Sequence, residues 1–183
     1  EDVSGLNAGT YSVTINDANG CTTSASATVN ENAAPINTST VVTNVTCNGD
    51  ADGAINLTVT GGTPPYSFSW SNGDATEDIS GLSAGTYNVT ITDNDGTTAN
   101  ASATVSEPSA LNTATNVTDA SSVGASDGAI DLTVTGGTAP YSVLWDDPAA
   151  QTTIVASSLC DGTYIATVTD LNGCVQSDNV IIT

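Results

Sequence analysis

Asp52-Gly-Ala-Ile-Asn-Leu-Thr-Val-Thr-Gly-Gly62 returns later in the chain, with one substitution, as Asp127-Gly-Ala-Ile-Asp-Leu-Thr-Val-Thr-Gly-Gly137. Ile55, Leu57 and Val59 alternate with Asn56, Thr58 and Thr60, which is the period of a strand with one buried face. The copy at a fixed distance makes the chain a tandem array. Further out, Pro65-Tyr66 and Trp70 return as Pro140-Tyr141 and Trp145. Asp78-Ile-Ser-Gly-Leu-Ser-Ala-Gly-Thr-Tyr87 has an earlier counterpart, Asp2-Val-Ser-Gly-Leu-Asn-Ala-Gly-Thr-Tyr11, and a shorter later one in Gly162-Thr163-Tyr164. The repeat is about 76 residues long. Residues 1–35 hold only the back half of one unit, 36–110 a complete unit and 111–183 another. The joins fall at Glu31-Asn-Ala-Ala-Pro35 and Glu107-Pro-Ser-Ala110, where proline and small residues suit short extended linkers.

The same alternation runs through Tyr66, Phe68 and Trp70 and through Tyr87, Val89 and Ile91. Gly61-Gly-Thr-Pro-Pro65, Ser71-Asn-Gly73 and Asp93-Asn-Asp-Gly96 separate the runs, and these are strong turn formers. No segment carries a 3.6-residue period. About seven short strands per unit predict an all-β chain of two-sheet sandwiches. Tyr66, Trp70 and Tyr87 are expected to anchor one core, and Trp145 and Tyr164 the next.

The chain has 183 residues, 20 of them Asp or Glu, and no Lys, Arg, His or Met. A chain of this length ordinarily carries roughly 20 Lys and Arg. A net charge of −20 leaves nothing to displace the counterions of a nucleic acid and disfavours anionic lipid. Cations, Ca²⁺ above all, are its natural small partners. No apolar stretch is long enough for a helical membrane span, so no direct membrane insertion is expected. Glu1 opens in the middle of a motif, as in an internal fragment or a processed product. Without His, Lys or Arg there is no triad, Schiff base or arginine clamp. Paired carboxylates remain, as in glycoside hydrolysis, but the acidic residues fall mostly in turns. The chain is therefore not expected to be an enzyme. Missing Lys also excludes a Lys–Asn isopeptide bond.

In combination, Cys47, Asp52-Gly53, Gly61-Gly62, Pro65-Tyr66, Trp70, Leu82, Gly85-Thr86-Tyr87 and Asp93 with Gly96 resemble the SprB repeat of bacterial surface adhesins. More distantly, the pattern looks like a PKD-type immunoglobulin fold. The resemblance implies tandem immunoglobulin-like β-sandwich repeats in a long extracellular, cell-surface protein exported by type IX secretion. It also implies a Cys pair joining the front and back of one unit. This chain departs from that pattern: the position expected to pair with Cys47 is Thr97, and that expected to pair with Cys174 is Ser122. Cys160 replaces the residue equivalent to Ser83, and Cys21 closes the half-unit. The connectivity among Cys21, Cys47, Cys160 and Cys174 stays open at this point.

Asn48-Gly-Asp-Ala-Asp-Gly53 places oxygens at alternate positions before a glycine, like the first half of a calcium loop. Asn48, Asp50 and Asp52 are the candidate Ca²⁺ ligands, set against an ordinary acidic turn. The closing bidentate Glu is absent, its position being Val59. Sequons stand at Asn37, Asn44, Asn56, Asn88, Asn100 and Asn116, about the number so Asn-, Ser- and Thr-rich a composition produces by chance. The functional expectation is a structural and adhesive stalk or filament on a bacterial surface. Its partners would be neighbouring repeats or copies, head to tail, and surface glycans. The alternatives are a carbohydrate-binding module array of a secreted enzyme, which wants exposed aromatics, and a passive spacer. Residues 1–35 are expected to need another polypeptide segment to complete their sandwich.

Overall fold

The computed structural model describes residues 2–30 and 34–183. All regular structure among them is β. The back half contributes β1 (Gly9–Asn16) and β2 (Thr22–Val29), an antiparallel pair that forms a sheet of its own. The second unit contributes β3 (Asn37–Thr43), β4 (Gly53–Thr60), β5 (Ser67–Trp70), β6 (Ile79–Leu82), β7 (Gly85–Thr92) and β8 (Thr98–Val105). The third unit repeats these as β9 (Asn112–Thr118), β10 (Gly128–Thr135), β11 (Ser142–Trp145), β12 (Val155–Leu159), β13 (Gly162–Thr169) and β14 (Val175–Ile182).

Each complete unit has six strands rather than about seven, in two three-stranded antiparallel sheets. Their orders are β3-β4-β6 and β5-β7-β8, then β9-β10-β12 and β11-β13-β14. The chain switches sheets between β4 and β5, returns at β6 and switches again at β7. These are the A-B-E and C-F-G sheets of an immunoglobulin-like sandwich, without strand D. The missing strand would fall in Ser71–Glu77, where turn residues, and the Thr76 carbonyl bonded to the Trp70 indole, take the place of a ladder.

Alternation becomes burial as the pleat requires. Ile55 and Leu57 of β4, Trp70 of β5, Ile79 and Leu82 of β6, Val89 and Ile91 of β7, and Val105 of β8 form one buried cluster between the two sheets. Ile130, Leu132, Trp145, Leu159, Val168 and Ile182 do the same in the third unit. Trp70 and Trp145 are 4% and 1% exposed, and their indole N–H groups donate to the Thr76 and Thr153 carbonyls at 2.9 Å. The tyrosines stand at the rim of the core. Tyr87 and Tyr164 are half-buried, and their hydroxyls donate four residues back, to Ser83 O at 2.9 Å and Cys160 O at 3.1 Å. This is the tyrosine corner of immunoglobulin-like domains, and Tyr11 repeats it with Asn7 O at 2.9 Å. Tyr66 and Tyr141 instead donate to the Gly61 and Gly136 carbonyls.

Candidate functional site: the head-to-tail junction

Each complete unit has a proximal end, where the chain enters, and a distal end, where it leaves. At the proximal end a Gly-Gly turn docks on the β7–β8 hairpin. Gly62 and Gly137 have φ of 61° and 59°, a region costly for residues with a Cβ. A Cβ on Gly61 would lie 2.1 Å from Pro35 O, and one on Gly136 would lie 1.9 Å from Ala110 O. Only glycine fits beneath the incoming linker. The turn then hands the Thr63 N–H to Asp93 Oδ2 at 3.0 Å. Asp93 Oδ1 accepts from Asp95 N at 3.0 Å and Thr97 N at 2.8 Å. Asp170 repeats the arrangement with Thr138, Asn172 and Cys174 at 2.8–2.9 Å. The carboxylate in this turn thus binds the front half of a unit to the back half.

Both carboxylates are buried, yet both are held below the usual carboxylate value. For Asp93 the Thr63 N–H is the largest cause, and further backbone donors outweigh the cost of burial. For Asp170 burial alone would push the value up, but the N–H groups of Thr138, Cys174, Asn172 and Gly173 together outweigh it. A depressed native pKa gives stability that is present above the unfolded value, near 3.8, and lost as pH falls through the native value. The acidic surface acts in the opposite sense, since protonation relieves self-repulsion. The melting temperature at constant ionic strength should therefore hold or rise from pH 6 to about 4, then fall below about 3.5. Asp93→Asn and Asp170→Asn should flatten that acid limb. A steady decline beginning at pH 6 would refute this account.

The distal end of the second unit is built from the loop after β3 and the chain following β8. Val45 N donates to Ser106 O at 3.0 Å, and Ser106 N to Asn44 Oδ1 at 2.9 Å. Asn48 Nδ2 donates to Pro108 O at 3.0 Å and Gly49 N to Glu107 Oε2 at 2.8 Å. The Glu107–Ala110 linker is therefore pinned by the acidic loop. Of the Ca²⁺ candidates, Asn48 spends its amide on this linker. Asp52 Oδ1 takes the Thr46 N–H at 2.9 Å, and the Thr46 side-chain and backbone bonds hold its carboxyl low. Asp50 closes a turn through its own N–H to Cys47 O at 3.1 Å. Among the described residues no group of three or more His, Cys, Asp or Glu side chains is arranged to hold a metal.

This distal loop meets the proximal hairpin of the third unit. Asn172 Nδ2 donates to Thr46 O at 3.2 Å, and Cys47 and Cys174 form a disulfide, 127 residues apart in sequence. The pairing that the family resemblance implied, within one unit, is corrected: the bond crosses from one unit to the next. With Thr97 and Ser122 at the in-unit partner positions, each surviving cysteine finds its partner across the junction. Cys21 and Cys160 are free. Cys21 stands on the β1–β2 hairpin where Cys174 stands on the β13–β14 hairpin, and Cys160 lies beside Ser126 at the distal end of the third unit.

All six sequon asparagines are exposed. Asn44, Asn56 and Asn100 are hydrogen-bonded to Ser106, Asp78 and Thr90. The two tryptophans that a carbohydrate platform would need are inside the cores. The join at Glu31–Pro35 lies partly outside the described residues. Sequence reasoning missed the Asp93 and Asp170 acceptors; the recurrence of Asp-x-x-Gly together with Gly-Gly-Thr was the signal available.

The SprB repeat model matches residues 39–75 and 114–150, the front half of each complete unit. No curated protein sequence matches the chain. Among solved structures, the chain is similar to a C-terminal 282-residue fragment of intimin, solved in complex with the intimin-binding domain of the translocated intimin receptor. The identity is 16% and the TM-score 0.44, over 81% of this chain and 64% of that one. It is also similar to the N-terminal eight Ig domains of Down syndrome cell adhesion molecule isoform 1.30.30, at 14% identity and TM-score 0.45, over 95% of this chain and 28% of that one. The chain thus spans less than two thirds of either.

Proposed function

We propose that this chain, carrying two SprB repeats, is a segment of an extracellular structural and adhesive array, a stalk whose repeats stack head to tail at a bacterial surface and perform no catalysis. The observation that carries this reading is the covalent junction. A non-enzymatic spacer needs a fixed angle between units more than any pocket, and Cys47–Cys174, Asn172–Thr46 and the pinned Glu107–Pro108 linker supply one. Repeat arrays of this kind gain reach by adding units, each contacting its neighbours. A disulfide across the junction fits an oxidising, extracellular location. A surface with no Lys, Arg or His offers trypsin no cleavage site, a useful property outside the cell.

Small-angle scattering of the oxidised chain tests the stalk reading. An elongated particle is expected, with a maximum dimension that broadens on reduction. A compact particle indifferent to reductant would overturn the stalk. Loss of surface attachment when the repeats are deleted from producing cells is the expected adhesive phenotype, and unchanged attachment would leave only a spacer.

A further inference from the structure

Three hairpins of the chain, β1 with β2, β7 with β8 and β13 with β14, pair in one and the same register. In the first two, every residue on the side turned away from the sandwich core is Ser, Thr or Asn, and so is every such residue of β5. The third unit departs from this. Leu144 of β11, Ile165 of β13 and Ile181 of β14 stand where the second unit has Ser69, Asn88 and Thr104. They are 52%, 38% and 62% exposed, while Val143, Trp145, Ala166, Val180 and Ile182 beside them in sequence are buried. A single exposed apolar residue is ordinary; three replacing polar counterparts on one face are not.

The three are also neighbours. Leu144 lies opposite Thr167, two residues from Ile165, and Ile165 lies opposite Asn179, two residues from Ile181. Successive diagonal neighbours on one sheet face are about 7–8 Å apart, so Leu144, Ile165 and Ile181 form one straight apolar stripe across all three strands. The other outward residues of β11, β13 and β14 are Ser, Thr or Asn, apart from Val175 next to the junction cysteine. No outward position of these strands is charged, although the chain carries a net charge of −20. Asp146, just past β11, turns one carboxylate oxygen to the Ile165 N–H at 2.7 Å.

We propose that this stripe is a lateral contact between two copies of the chain, packed sheet face to sheet face through their third units. A cationic partner would be recognised by carboxylates, and this face keeps them off its strands although the chain has 20 acidic residues. A second copy offers a matching uncharged surface. A two-fold axis along the stripe sets Leu144, Ile165 and Ile181 each against its own counterpart, the self-complementary arrangement of a symmetric pair. The Ser and Thr hydroxyls and Asn amides around the stripe both donate and accept, so they need no complementary charge. By strand spacing and rise the face covers at most roughly 400 Å² of each copy, against about 800 Å² per partner in a stable interface. The pair is therefore weak between single chains and strengthens where several copies are displayed side by side. Net charge opposes it, and salt screens that repulsion. The contact lies beyond the array reading, which concerns units along one chain and not separate chains.

The test is sedimentation equilibrium of the full chain, with Cys21→Ser and Cys160→Ser to prevent intermolecular disulfides, up to about 1 mM protein in about 0.15 M and about 1 M salt. A monomer–dimer equilibrium is expected, with an association constant at least about threefold higher in the stronger salt. Leu144→Ser with Ile165→Asn and Ile181→Thr installs the second unit's residues at exposed positions, and should weaken association at least about tenfold without changing the far-ultraviolet circular dichroism. Amide resonances that shift with protein concentration should centre on the same three residues. The proposal is overturned if the chain is monomeric at the highest concentration in both salts, or if the triple variant associates as well as its parent. It is equally overturned if the shifting amides centre on another face, or if salt weakens the association, the sign of an ionic contact.

Discussion

Removing the Cys47–Cys174 bridge is expected to cost the two joined units about 4–5 kcal/mol against complete unfolding. The estimate follows from the length of the closed loop. A bond spanning 127 residues withdraws conformational freedom from the unfolded chain in proportion to the logarithm of that span, and this loop is near the long end of the range. For a block of this size the loss corresponds to roughly 10–15 °C in melting temperature. The measurement compares Cys47→Ser with Cys174→Ser, in a Cys21→Ser and Cys160→Ser background, against that background alone. The free cysteines are removed so that exchange cannot build other bridges. Each unit retains its own core, so the reduced protein should stay folded at 25 °C. An unchanged melting temperature in the bridge-free variant would mean that the bridge only orients the two units and does not restrict the unfolded chain of either.

Trp145→Ala is expected to cost the third unit about 3–5 kcal/mol. The indole is the largest fully buried side chain, and it packs with Ile130, Leu132 and Val168. Its removal also orphans the Thr153 carbonyl. Units of about 76 residues are marginal, so this loss is comparable with the whole stability of the fold. Trp70, in the other core, then reports on independence. Its fluorescence should stay that of a buried indole while the third unit melts early. Loss of the Trp70 signal in the same transition would show that the two sandwiches unfold as one block.

Much of this architecture was legible because burial follows pleat. Ile55, Leu57, Val89 and Ile91 declare their face by alternation, and their return after about 76 residues declares the repeat. The strand count was overestimated because Ser71–Glu77 is rich in residues that suit either a short strand or a turn. Only the commitment of the Thr76 carbonyl to Trp70 decides for the loop. Tyr87 and Tyr164 do pack against the two cores as their strand positions suggest, but each hydroxyl must find an acceptor, and it reaches a carbonyl four residues back at the rim. The disulfide was illegible for a different reason. Spacing within a unit constrains partners within that unit, whereas Cys47 and Cys174 meet only because two ends of separate sandwiches abut. The calcium reading of Asn48, Asp50 and Asp52 rested on spacing alone. The structure commits Asn48 and Asp52 to backbone groups of Pro108 and Thr46.

The bridge also changes how the molecule would carry a pull. Tension applied between residue 34 and Thr183 passes from β3 through Cys47 to Cys174 and out along β14, because the covalent link is the shortest path. The interior strands β4–β8 and β9–β13 lie outside that path. The 127 residues between the cysteines would pay out roughly 400–450 Å if both sandwiches unravelled, at about 3.3–3.6 Å per residue, and the bond withholds that slack. Oxidised, this stretch of the array is nearly inextensible, and only the edge strands β3 and β14 bear load. Reduced, the same stretch becomes a shock absorber whose two sandwiches yield one at a time. The thiol state at a single junction would thus set whether a tether is stiff or compliant.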